Sequence, residues 1–171
     1  MARLRPARTC RTPNSQSWSR YSLKKPRKNF VRAMPHKSIM VFNMGTNKEY
    51  DMKMQLCTKE DIQIRSNSLE SARQTANRYL ESKLPENYMF KVLVYPHNVI
   101  REHKMATGAG ADRISQGMSL SFGKPVSVAA RMRKNQPLFM VMTNSKNNTV
   151  VREAFRRAAS KLSGHYSIAV S

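Results

Sequence analysis

The chain has 171 residues, enough for one domain that buries roughly 70% of the surface its unfolded chain exposes. Its 31 Lys+Arg against 10 Asp+Glu leave a formal net charge of +21, a field that attracts polyanions and repels basic partners. The longest apolar runs, VLVY at 92–95 and LFMVM at 138–142, are strand-sized and too short to span a bilayer, so nucleic acid is expected ahead of anionic lipid.

Residues 1–37 hold eleven of the Lys and Arg residues and no acid, and the first carboxylate is Glu49. Four prolines interrupt this segment, which rules out an amphipathic targeting helix and leaves too little apolar surface for a core of its own. The absence of an apolar h-region sets secretion aside, and the widely separated Cys10 and Cys57 fit a reducing compartment without a metal or redox pair. The segment reads as an extended basic arm. Its candidate RNA contacts are Arg3, Arg5, Arg8 and Arg11, then Arg20, Lys24, Lys25, Arg27, Lys28 and Arg32, with Trp18 and Tyr21 between them as packing faces. The plainer alternative is a solubilising tail.

From 38 to 171 the pattern is that of a single α+β domain. IMVFNMG and DMKMQLCTK read as short strands, and DIQIR alternates as a half-buried strand does. SNSLESARQTANRYLESKL follows as a helix, with Leu69, Ala72, Ala76 and Leu80 on one face and Asn67 and Glu70 spaced like a capping box. YMFKVLVYP and NVIREHK are the next strands. After a glycine-rich stretch come strands VSVAARMR and PLFMVMTN, then a helix NTVVREAFRRAASKL that turns Val151, Ala154, Phe155, Ala158 and Leu162 inward. HYSIAV is the last strand. Two strand–helix–strand units echo each other, which predicts a compact two-layer α+β sandwich of mainly antiparallel strands with two main helices.

The stretch 103–125, HKMATGAGADRISQGMSLSFGKP, carries four of the six glycines. It fails as a phosphate-cradling loop: five residues separate Gly117 from Gly123-Lys124, and Pro125 stands where a P-loop needs a hydroxyl. Arg113 replaces the third glycine of a dinucleotide fingerprint. His36, His97, His103 and His165 lack metal spacing, and neither cysteine has a nucleophile setting. No catalytic residue, cofactor or metal ligand is therefore expected. A loop of this length is usually functional or disordered, and its small residues allow close approach to another surface. Phosphate contact suits Arg101, His103, Lys104, Arg113, Lys124, Arg131 and Arg133; a mobile loop with solvated charges is the alternative. RNA is expected before DNA because no helix-turn-helix, zinc finger or basic zipper is present. On the second helix, Glu153 is spaced to pair Arg157.

PHNVIREHKM, GAGADRISQGM and FGKP, followed by Ala130-Arg131 and EAFRRA, resemble the large-subunit ribosomal protein family L-ten-e, the archaeal and eukaryotic counterpart of bacterial L-sixteen. RPAR at 5–8 and IMVFNMG extend the resemblance over nearly the whole chain. It implies an α/β-hammerhead-like fold and a non-enzymatic structural role in translation. It also implies binding to large-subunit ribosomal RNA near the aminoacyl-tRNA site, with loop 103–123 directed towards the peptidyl transferase centre. Gly108, Ala109, Gly110 and Ala111 then lie near tRNA. Neighbouring ribosomal proteins and tRNA are the implied partners, with no membrane, small-molecule substrate or homo-oligomer, and the ribosome in the cytoplasm is the implied location. The end at Ser171, without the longer C-terminal extension of eukaryotic members, points to the archaeal branch. A transient RNA chaperone or assembly factor on the same RNA is the runner-up.

Overall fold

The computed structural model describes residues 5–13, 34–115, 117–119 and 123–170. Among them, eight strands form two antiparallel sheets. Strands β1 (Asn43–Gly45), β4 (Tyr88–Val92), β7 (Pro137–Thr143), β2 (Met52–Thr58) and β8 (Tyr166–Val170) make a five-stranded sheet in that order. Strands β3 (Ile62–Arg65), β6 (Lys124–Met132) and β5 (Asn98–Glu102) make a smaller one. Helices α1 (Ser66–Lys83) and α3 (Asn148–Ala159) pack on each other; α2 (Ala111–Ile114) is a single turn in the glycine loop. The expected α+β architecture with antiparallel strands and two main helices is what forms.

The core follows from the two periodicities. In β2 every second side chain, Met52, Met54, Leu56 and Thr58, is buried, as a pleated strand with one covered face requires. In α1 the buried residues Leu69, Ala72, Ala76 and Leu80 recur at helical spacing, and α3 buries Val151, Ala154, Phe155 and Ala158 against them. The alanines let the helix axes approach closely. Phe90 of β4 and Phe139 of β7 meet edge to face, with centroids 5.3 Å apart, beneath the helices. Helix α1 ends where Pro85 removes the next amide donor, and Glu86 turns the chain at φ 59°.

Three expectations need correction. The Asn67–Glu70 capping box does not form, because α1 begins at Ser66 and Arg65 occupies the cap position. Asn67 Oδ1 instead accepts from the amide of Ser68, and the Glu70 carboxylate is taken by Arg73 and Gln74. The strand expected at IMVFNMG is confined to Asn43–Gly45, with the Phe42 carbonyl accepting one further bond from the Val92 amide. The two strand–helix–strand units are also not equivalent: β7 and β8 share a sheet with β2 between them, whereas β3 and β4 lie in different sheets. Local sequence sets each element, but which sheet a strand joins depends on partners far along the chain.

On the outer face of α3, Glu153 accepts from Arg156 at 2.7 Å and from Arg157 at 2.8 Å, and Arg157 also lies 4.1 Å over the Tyr79 ring of α1. The hydrogen bond from Arg156, then that from Arg157, hold the Glu153 carboxyl at about 2, below its usual 4.5. A lowered carboxyl pKa stabilises the fold above the unfolded value, and that contribution disappears as pH falls through the folded one. Glu153→Gln is therefore expected to flatten the acid limb of a thermal-stability profile between about pH 4.5 and 2, with a small amplitude because the pair is solvated. An unchanged acid limb would show that the pair contributes nothing.

Candidate nucleic-acid interface

The smaller sheet has two different faces. Ile62 and Ile64 of β3, with Ala130 and Met132 of β6, point into the main core. The alternate residues Gln63 and Arg65 point the other way, yet both are buried, at 2% and 8% exposure. Register pairs Gln63 with Arg131 and Arg65 with Ala129, so this second face continues across β6. Residues 5–13 cover it.

Pro6 opens a 3-10 turn at Ala7–Thr9 that leaves Arg8 exposed and drives Cys10 down to 1% exposure against Ile100 and Ala129. The Gln63 amide donates to the Arg11 carbonyl at 2.7 Å, and Gln63 Nε2 donates to the Cys10 carbonyl at 2.9 Å. Arg65 Nε donates to Cys10 Sγ at 2.9 Å, while its terminal nitrogens reach the carbonyls of Arg5 and Pro6 at 2.5 and 3.2 Å. Arg11 pairs with Glu60, whose carboxylate also accepts from the His165 amide. Partial burial works to raise the Glu60 pKa, but these hydrogen bonds and the charge of Arg11 outweigh it and hold the carboxyl below its usual range.

Strands β5 and β6 pair antiparallel out to Glu102 opposite Lys124, so loop 103–123 is an excursion from a hairpin end. A bulge between Ile100 and Arg101 breaks the alternation, and both side chains line one open cavity of about 320 Å³ with Arg5, Arg65, Glu102 and His103. Burial lowers the Arg101 pKa from its ordinary value. Glu102 pairs at 3.0 Å with Arg5 of the arm. Within the loop, His103 Nε2 donates to the Gly117 carbonyl at 2.7 Å, which fixes the first residue of the excursion against its return leg. At the base, Gly123 has φ +71°, and a Cβ there would lie 2.7 Å from the Glu102 carbonyl carbon.

Of the sequence-predicted residues, Arg5, Arg8, Arg11, Arg101, His103, Lys104, Arg113, Lys124, Arg131 and Arg133 are described, and all belong to the arm, the small sheet with its flanks, or the loop. Arg8, Lys104, Arg113, Lys124, Arg131 and Arg133 are exposed. Arg131 and Arg133 line a second, polar cavity of about 410 Å³ with His97 and Asp61. Gly108, Ala109, Gly110 and Ala111 form the turn into α2. Arg3, Trp18, Arg20, Tyr21, Lys24, Lys25, Arg27, Lys28 and Arg32 lie outside the described residues. Sequence reasoning missed Glu60, Gln63 and Arg65, which hold the arm. The available signal was in β3 itself, where two long polar side chains alternate with Ile62 and Ile64 on a strand with no exposed position. Among the described residues no cluster of His, Cys, Asp or Glu is placed to hold a metal ion, and no helix is long and apolar enough to cross a membrane.

A family model described as ribosomal protein L16p/L10e matches residues 18–169. The large ribosomal subunit protein uL16 of Methanococcus maripaludis is 44% identical over 161 residues, covering 93% of this chain and 89% of that protein. Proteins of the same name from Halorubrum lacusprofundi and Archaeoglobus fulgidus are 42% identical over 164 residues and 39% over 150. These cover 93% and 86% of this chain, and 89% and 86% of theirs. All three organisms are archaea, in keeping with the expected branch, and the relatives are named as ribosomal proteins rather than enzymes. On the family match and on these relatives, which align with most of its length, the chain belongs to the ribosomal protein L16p/L10e family.

Proposed function

We propose that this protein is a structural constituent of the large ribosomal subunit in the cytoplasm, binding large-subunit rRNA near the aminoacyl-tRNA site, with loop 103–123 directed towards the peptidyl transferase centre. In this reading residues 1–37 act as an RNA-following arm on a domain spanning 38–171. Neighbouring ribosomal proteins and tRNA in the aminoacyl site are its other partners. The observation that carries it is the convergence on one small sheet: the described part of the arm, the base of the glycine loop and the exposed Lys124, Arg131 and Arg133 share it. A net charge of +21 supplies the long-range attraction to a phosphate backbone.

Sedimenting the extract of the source cells through high salt tests the role directly. Retention near one copy per large subunit is expected; loss from the peak while other subunit proteins remain would mean a transient factor. At finer scale, Arg113→Gln and Lys124→Gln are each expected to weaken rRNA binding and to lower the magnitude of its log–log salt slope by about 0.7–0.9. An unchanged slope would place that residue away from phosphate.

A further inference from the structure

We infer that Arg65 is a positioning residue: it holds the N-terminal arm and the base of the glycine loop together as one RNA-binding surface, and does so without contacting RNA itself. The inference rests on the RNA-binding reading above.

Arg65 is only 8% exposed, so it is poorly placed to meet a phosphate. Among the described residues every hydrogen bond of its guanidinium goes to the arm: Cys10 Sγ, the Arg5 and Pro6 carbonyls, and Thr9 Oγ1. A planar fork of donors suits this task, because one side chain meets several acceptors in fixed directions; an ammonium on a flexible stem cannot. The pinned segment is the one that presents Arg8, and Arg5 of the same segment reaches Glu102, the last residue of β5 before the loop. Arg65, Arg5, Glu102 and His103 line a common cavity. Arm and loop base are thus connected through Arg65 and Arg5. Holding both in place before RNA arrives removes an ordering cost that would otherwise be set against binding.

The test uses the full chain with Arg65→Lys, which keeps the charge and loses the fork. In the free protein, amide exchange at Gln63 and Cys10, which donate to arm carbonyls, is expected to speed up at least tenfold while β2 and β7 amides keep their protection. Unchanged exchange at Gln63 and Cys10 would overturn the inference. Loss of β2 and β7 protection would do so as well, since Arg65 would then be a general fold residue. Binding to a large-subunit rRNA transcript is expected to weaken about tenfold. Arg8→Gln should lower the salt slope in the wild-type background and have little effect beside Arg65→Lys. Equal Arg8 effects in both backgrounds would mean that Arg65 does not act through the arm. If the wild-type chain itself shows no salt-dependent rRNA binding, the RNA reading fails, and the exchange result still decides whether Arg65 holds the arm.

Discussion

Phe139→Ala is expected to lower the unfolding free energy by about 3–5 kcal/mol, the usual cost of emptying a well-packed aromatic site. Phe139 is fully buried on β7, near the middle of the five-stranded sheet, edge to face with Phe90 and in the core that includes Leu69 and Phe155 of the helices. Neighbours in both the sheet and the helix layer limit how far the cavity can collapse. Against a total stability of about 5–15 kcal/mol for a domain, the loss is large. Urea melts should show a lower midpoint with an unchanged slope. A shift worth less than about 1 kcal/mol would mean that the sheet and helix layers close over the cavity, contrary to the tight packing seen.

Gly123→Ala should act locally and still impair function. A residue other than glycine at a left-handed backbone angle costs about 1–2 kcal/mol. At Gly123, where φ is +71°, the added Cβ would also meet the Glu102 carbonyl and the His103 amide nitrogen at 2.7–2.8 Å. Those atoms are backbone and cannot rotate aside, so the hairpin end between Glu102 and Lys124 must open. Exchange of amides at the ends of β5 and β6 is expected to rise more than tenfold, with rRNA affinity falling and the urea midpoint moving far less than for Phe139→Ala. Gly117→Ala is the control. At φ +60° with no atom of a described residue within 4 Å of its Cβ position, it shares the conformational cost without the collision seen at Gly123. Equal behaviour of the two variants would show that the close approach at Gly123 is unimportant.

Much of the scaffold was legible because periodicity reports burial directly. The stripe of Leu69, Ala72, Ala76 and Leu80 and that of Val151, Ala154, Phe155 and Ala158 are each buried as their spacing demands. Glu153 reaches Arg157 at the expected i,i+4 distance, and Arg156 as well. The capping box failed for a local reason: the helix starts two residues earlier than that box requires, which moves Asn67 past the cap, and Arg73 offers Glu70 a stronger partner than a backbone amide. The equivalence of the two strand–helix–strand units failed for a non-local one. Nothing near β3 says that it pairs with β6 rather than joining the strands around β7, because strand pairing is chosen by complementarity across long sequence separations.

The same division holds for the site. Charge and composition by themselves pointed to a polyanion as the partner to expect, and the residues of the loop block and its surroundings determined the family, since net charge and short motifs need no knowledge of folding partners. Only the tertiary structure decided how those charges are organised: that Arg5 pairs with Glu102, that Arg11 pairs with Glu60, and that Arg65 is buried beneath the arm. These partners are 97, 49 and 55–60 positions apart. Folding alone brings such residues within hydrogen-bond range, and burial then separates the arginine that holds the surface from the arginines left facing solvent.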